Sequence, residues 1–161
     1  MKQERALTVG FRAGYAEGKK PEKISRGPFT VKSLQPELDR IEYVDQWIGG
    51  PAGGGQEIAK GEDGSIETRL YGGGVVEENL IELGITKDAV DEYRARKLRE
   101  LPETRLDEDL ELQTDRDWQY GYKVLELPTA AAKIPLRMAL EYINYRHALV
   151  FVHGFIITQV R

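Results

Sequence analysis

Residues 56–76 of this 161-residue chain have the sequence QEIAKGEDGSIETRLYGGGVV, and this stretch decides the fold. From Ile66 to Tyr71, aliphatic or hydroxyl side chains alternate with charged or aromatic ones, which is the two-residue period of a β-strand. The preceding segment 61–65, GEDGS, has the glycines, aspartate and serine that favour a turn. The stretch therefore predicts a hairpin of two antiparallel strands.

A weaker copy of this hairpin is predicted near the carboxyl end, in residues 141–157, EYINYRHALVFVHGFII. Each copy has a glutamate on its first strand, Glu57 or Glu141, and Tyr71 or His153 directly before a glycine on its second strand. The glutamate-to-glycine spacings differ by only two residues, which one turn can absorb. We infer an internal duplication.

Residues 136–145 carry conflicting signals. The surrounding sequence TAAAKIPLRMALEYINY has a helical composition, and Pro135 is acceptable in a first helical turn. The duplication instead requires residues 138–145 to form a strand that matches residues 54–60. We predict a strand, because strand pairing can override local propensity.

The complete pattern predicts an α+β fold in a single domain, residues 1–161. Two copies of an antiparallel β-meander, at about 41–76 and 117–160, are expected to form one curved sheet that packs on an amino-terminal helix at 2–17. Gly10 and Gly14 inside that helix indicate a close approach to the sheet. A helical connector at 77–101 is expected outside the sheet or at its edge.

Composition excludes several classes of function. The chain has no cysteine, which excludes disulfides, zinc–thiolate sites and a thiol nucleophile, and it fits a cytoplasmic protein. A net charge of −4 argues against direct binding of nucleic acid, and no apolar run is long enough to cross a membrane. His147 and His153 have no recognised metal-ligand spacing, so neither a metal nor another cofactor is predicted.

Aromatic and acidic residues form the candidate site. If the two copies face each other, Trp47, Trp118 and neighbouring tyrosines line a concave patch beside Asp45 and Glu57, as in small-molecule sites. An ordinary aromatic core is the alternative. The candidate ligand-binding residues are Tyr43, Asp45, Trp47, Glu57, Arg69, Tyr71, Trp118, Tyr120, Glu141 and His153.

Three functions are compatible with these residues. We favour a non-catalytic module that binds or senses a small molecule, cationic and amphipathic or nucleotide-like, since an acid beside a tryptophan suits a cation. A small hydrolase using Asp45, Glu57 or Glu141 with His153 is the second. A structural role for these acids, paired with arginines or bonded to loop amides, is favoured over hydrolysis because an unpaired buried carboxylate is costly. A structural or partner-binding homodimer through an exposed sheet face is the third.

Several short motifs recur along the chain. They are Tyr15-Ala16, the strand residues Tyr43, Asp45, Trp47 and Gly49, the pair Gly55 and Glu57, and the aromatic-glycine pairs Tyr71-Gly72 and His153-Gly154. Together these motifs resemble an uncharacterised bacterial domain family, found alone or behind a helix-turn-helix segment in candidate transcription regulators. The family has no assigned activity, so the resemblance implies a fold and a lineage.

Overall fold

The chain is organised by one β-sheet and three helices. The computed structural model describes residues 5–100, 108–111, 114–128 and 133–160. The helices are α1 (Ala6–Phe11), which continues into a π-helical turn (Arg12–Ala16), α2 (Glu77–Leu83) and α3 (Lys87–Glu100). The strands are β1 (Glu22–Arg26), β2 (Phe29–Leu34), β3 (Glu42–Gly49), β4 (Ala52–Lys60), β5 (Ile66–Val75), β6 (Leu110–Glu111), β7 (Trp118–Val124), β8 (Leu136–Tyr145) and β9 (Ala148–Val160).

The sheet consists of two antiparallel meanders joined along their last strands. Within the described ranges its strand order is β1-β2-β3-β4-β5-β9-β8-β7-β6, and all neighbours are antiparallel. The predicted α+β class, with antiparallel sheet predominating, is confirmed. No helix in this part of the chain is both long and apolar enough to span a membrane.

The segment with conflicting signals, residues 136–145, is strand β8, as predicted. It is hydrogen-bonded to β7 on one side and to β9 on the other. Two ladders of backbone hydrogen bonds, together with burial of alternate side chains, outweigh the helical composition. The prediction omitted the hairpin of β1 and β2, which extends the first meander at the sheet edge.

The predicted amino-terminal helix is shorter and less regular than expected. It begins at Ala6, and its last turn, Arg12–Ala16, is π-helical. The expected start at Lys2 and the expected end of the connector at Leu101 lie outside the described residues.

Helices α1 and α3 cover the same face of the sheet. Helix α1 contacts β3, β4 and β5, and α3 packs against the π-helical turn, where Arg99 donates a hydrogen bond of 2.5 Å to the carbonyl of Ala16. Arg94 of α3 reaches Glu141, which is on the covered face of β8. The expectation that the connector lies outside the sheet or at its edge is therefore wrong for α3.

The two glycines of the amino-terminal helical segment lie where it approaches the sheet. A Cβ atom on Gly10 would overlap the ring of Tyr43, and one on Gly14 would lie only 2.8 Å from Leu34 Cδ2. Tyr43 and Leu34 are both buried. Glycine at these positions lets the helix lie directly on the side chains of β2 and β3.

Replacing Gly10 with alanine is expected to lower the free energy of unfolding by about 2–3 kcal/mol, because the added methyl group displaces the Tyr43 ring in a packed core. Urea denaturation followed by circular dichroism measures the loss. Gly50→Ala is the control, since a Cβ there meets no atom within 4 Å. Equal stability of the two variants would contradict the close packing of α1 on the sheet.

Candidate functional site

Two glutamates on the covered face are each held by a buried arginine. Glu57 on β4 accepts hydrogen bonds from both Nε and Nη2 of Arg69 on β5, the second at 2.7 Å. Tyr43 on β3 donates a further hydrogen bond of 2.5 Å to Glu57 Oε1. The side chains of Glu57 and Arg69 are 1% and 2% exposed, so the pair is effectively removed from water.

The second glutamate has the same kinds of partner in the other half of the sheet. Glu141 on β8 accepts hydrogen bonds of 3.2 Å and 2.7 Å from Arg94, and one of 2.8 Å from Tyr120 on β7. The Glu141 side chain is 0% exposed. Burial lowers the pKa of Arg94, but the Glu141 charge outweighs this and holds that pKa above its usual range. Both arginines therefore remain charged.

Aromatic rings enclose the two guanidinium groups. Arg69 lies 4.9 Å from the ring centroid of Phe11 and 4.8 Å from that of Phe155. Arg94 lies 4.8 Å from the centroids of both Tyr15 and Phe151. Each cation is thus placed between the amino-terminal helical segment and β9, where cation–π attraction adds to the ion pair. The two arginines connect helices and sheet.

A pocket of about 250 Å³ opens between these layers. Seven aromatic rings contribute to its walls, those of Phe11, Tyr15, Trp47, Tyr71, Phe151, His153 and Phe155. Its polar lining includes Asp45, Glu57, Arg69, Tyr71 and Arg94, and its remaining lining includes Lys32, Lys87, Asp91 and glycines of the β3–β4 and β5 segments. Six predicted site residues are therefore brought together here: Asp45, Trp47, Glu57, Arg69, Tyr71 and His153.

Asp45 is the unusual acid of the pocket. It is 6% exposed, and Tyr71 donates a hydrogen bond of 2.7 Å to its Oδ1 atom. Among the described residues it has no ion-pair partner, in contrast to Glu57 and Glu141. Burial, followed by the negative charge of the adjacent Glu57, raises the pKa of Asp45 from 3.8 to about 7. Near neutral pH this carboxyl group exchanges between neutral and charged forms.

The other four predicted site residues lie outside the pocket lining. Tyr43, Tyr120 and Glu141 are buried in the hydrogen-bonded groups described above. Trp118 packs elsewhere, with its ring centroid 4.8 Å from that of Tyr93 and 4.6 Å from that of Tyr145. The two halves of the sheet therefore do not combine their tryptophans in one hollow, because α3 covers the second half.

Sequence reasoning missed Arg94, Phe11 and Tyr15 as parts of the site. A signal for Arg94 was present, since the buried residues of α3 follow helical periodicity: Val90, Tyr93, Arg94, Lys97 and Leu98. Arg94 occupies a position in this stripe where an apolar residue is usual. A charged residue in such a stripe indicates a buried partner, and here that partner is Glu141.

A larger hollow of about 640 Å³ is a weaker candidate for a functional site. It lies between the turn at 61–65 and the segments that flank residues 129–132, which are outside the described ranges. The Arg5–Glu67 ion pair occupies one side of it. Within the described residues, no group of three or more histidine, aspartate or glutamate side chains could hold a metal ion.

Replacing Arg94 with methionine is expected to lower the free energy of unfolding by about 3–5 kcal/mol, because it leaves the Glu141 charge buried without a cation. Arg96→Met on the same helix is the matched control. Its ion pair with Asp115 is exposed, so a loss below about 1 kcal/mol is expected. Denaturation curves of both variants give the comparison. Equal losses of unfolding free energy in the two variants would contradict a larger contribution from the buried Arg94–Glu141 pair.

Replacing Asp45 with asparagine is expected to change how stability depends on pH. The pKa of folded Asp45 lies above 3.8, so its stabilising contribution is complete below about pH 4 and is lost as pH rises towards 7. Asp45→Asn should therefore gain stability relative to the unmodified chain across that interval, and hold a constant advantage above it.

Thermal denaturation at pH 4, 5, 6, 7 and 8 measures this difference. Asp63→Asn is the control. Hydrogen bonds from Ser65 lower the pKa of Asp63, so its contribution is lost only as pH falls below about 4, and its stability difference should stay nearly constant from pH 5 to pH 8. An unchanged stability difference between pH 4 and pH 8 for Asp45→Asn would contradict the raised pKa.

Comparison with known proteins adds no further assignment. No family model matches the chain, and neither the curated proteins nor the solved structures contain a significant match. The argument for function therefore rests on the geometry of the pocket.

Proposed function

We propose that the pocket binds a small cationic, amphipathic molecule, with Asp45 as its counter-ion. The observation that carries this proposal is the position of Asp45: it is a buried carboxyl group on the wall of an aromatic pocket, and no cation of the described residues forms an ion pair with it. A ligand that supplies the missing positive charge would stabilise the ionised form of Asp45. The protein then acts by binding or sensing, not by chemical conversion.

The balance of buried charge supports a cation over an anion. Arg69 is matched by Glu57 and Arg94 by Glu141, and both pairs have direct hydrogen bonds. Because a glutamate already neutralises each guanidinium group, neither group is expected to bind an anionic ligand. Ionised Asp45 is left as the unbalanced charge of the buried group, and a bound cation would make the group neutral. Desolvated charge pairs of this kind are favourable when their geometry is good.

The side chains that line the pocket, and its volume, indicate the chemistry and size of the rest of the ligand. Trp47, Tyr71 and His153 line the pocket together with Phe155, and aromatic faces attract both cations and apolar groups. The volume of about 250 Å³ is at the small end of ligand sites, so a single-ring compound fits better than a dinucleotide. A primary or quaternary amine on a small apolar body meets both requirements.

Three probes of similar shape test the proposal by calorimetry: benzylamine, benzyl alcohol and phenylacetate. We expect benzylamine to bind most tightly and phenylacetate most weakly. Because the ligand requires ionised Asp45, the affinity for benzylamine should be about tenfold higher at pH 8 than at pH 6. Asp45→Asn should remove both the preference for the amine and its pH dependence.

The control variant is again Asp63→Asn, an exposed acid whose loss should leave binding unchanged. Stronger binding of phenylacetate than of benzylamine would contradict the proposal, as would full retention of amine binding by Asp45→Asn. Failure of all three probes to bind at millimolar concentration would also count against a cation pocket.

Acid–base catalysis is a second candidate, favoured by the same carboxyl group. A catalytic acid or base works best when its pKa lies near the working pH, and the pKa of Asp45 is about 7. Glu57 and Glu141 are committed to arginines, so the hydrolase alternative is reduced to Asp45 with His153, which both line the pocket. Neither a serine nor a threonine is among the described lining residues, so this candidate uses a water molecule as the nucleophile.

We also propose that the two halves of the sheet arose by duplication. Asp45 is directly opposite Glu57 in the ladder, and Tyr122 is directly opposite Glu141. In each half the tyrosine two residues earlier on the same strand donates to that glutamate. This shared register supports a common origin, and the resemblance to the bacterial regulator-associated domains then suggests a sensing role for the half that retains the pocket.

A further inference from the structure

The uncovered face of the sheet carries a field of side chains without charge. Three rows cross the central strands β4, β5, β9 and β8, and paired residues in each row point to the same side. The rows are Ile58-Thr68-Thr158-Leu136, Gln56-Leu70-Ile156-Met138 and Gly54-Gly72-Gly154-Leu140. With 31% charged residues in the chain, about four of twelve positions would ordinarily be charged.

Large aliphatic side chains in this field are open to solvent. Leu70 is 47% exposed, Ile156 40%, Ile58 38% and Leu140 37%. Helices α1 and α3 cover the opposite face, and the described residues place no element over these rows. Contiguous apolar surface of this kind marks an interaction site.

At two positions in the field, Gly72 and Gly154, neither the backbone φ nor the space around the residue requires glycine in the single chain. A Cβ on Gly154 would come no closer than 3.7 Å to another residue, at Leu140 Cδ2, and one on Gly72 no closer than 3.8 Å, at the carbonyl of Gly53. Neither residue has the positive φ that requires glycine. Glycine weakens a strand interior and marks places where another surface approaches closely.

We propose that this face binds a second copy of the chain to form a symmetric dimer. The row with Leu70, Ile156 and Met138 is a ridge, and the next row, with Gly72 and Gly154, is a trough about 7 Å away. A two-fold axis that runs between these rows and parallel to them places the ridge of each copy over the trough of the other. Such a contact is self-complementary, as a two-fold interface requires.

The area and the lack of charge of this sheet face are both compatible with binding of a second copy of the chain. Together with the next row, Ala52-Gly74-Val152-Tyr142, the axis brings four uncharged rows of the four strands into contact. Their footprint is about 500 Å², somewhat below the roughly 800 Å² that each partner buries in a standard interface. An identical uncharged field brings no unpaired charge into the contact. Two such sheets pack about 10 Å apart and leave the ligand pocket free, because it opens on the other face.

Sedimentation velocity at chain concentrations up to about 100 µM tests for a dimer whose dissociation constant is in the micromolar range or below. The unmodified chain should sediment with twice its mass of 18.2 kDa. Leu70→Lys should weaken association at least about a hundredfold, because it buries an unpaired charge. Ile81→Lys is the control, since Ile81 is 81% exposed on α2 and outside the field, and it should remain dimeric.

A second variant separates loss of the dimer from loss of the fold. Gly154→Thr places a residue with high strand propensity where the single chain has room for a Cβ, so the monomer should unfold at the same or a higher temperature. The threonine fills the trough, and the dimer should be lost. A monomeric unmodified chain at about 100 µM would overturn the proposal, as would a dimer that survives both Leu70→Lys and Gly154→Thr.

Discussion

Burial of two glutamate–arginine pairs between helix and sheet is the constraint on which the rest of the structure depends. Removing these charges from water is unfavourable by several kcal/mol per ion unless every one is matched and hydrogen-bonded. Glu57 and Glu141 meet this requirement with an arginine and a tyrosine each. The helices must therefore lie where the arginines and their enclosing rings can reach both glutamates.

The same constraint explains the shape of the pocket. Arg69 belongs to the sheet itself, whereas Arg94 belongs to α3. Because Arg94 must reach Glu141, α3 lies over the second half of the sheet. Side chains fill the space between α3 and that half of the sheet, where Trp118 stacks on Tyr93. The first half keeps a hollow between the amino-terminal segment, α3 and the glycine-rich ends of β4 and β5, and Asp45 lies in its wall. Two halves with similar hydrogen bonds thus have different surfaces.

The two faces of the sheet have opposite characters. The covered face contains nearly all of the buried charge and the large aromatic rings. The uncovered face has small, apolar and hydroxyl residues at its centre, with two glycines side by side on β5 and β9. The proposed ligand site and the proposed dimer interface therefore lie on separate surfaces of one sheet and do not share residues.

Local patterns were sufficient to predict the hairpin at 56–76 and the mixed α+β class, and six of the candidate site residues line the pocket. The alternation of side chains specifies a strand and its buried face, because the pleat has a period of two. The strand β8 was predicted only by analogy with the first half, since its own composition is helical.

Residue order by itself determined which side chains share a face of each element, because the periods of strand and helix are fixed by backbone geometry. It did not determine which elements meet. Only the tertiary structure decided that Arg94, 47 positions before Glu141, neutralises that glutamate, and that Asp45 receives no such partner from the described part of the chain. The reason is physical: charge compensation depends on distances of a few ångströms in a medium of low dielectric constant, and distant segments reach those distances only when the chain is packed.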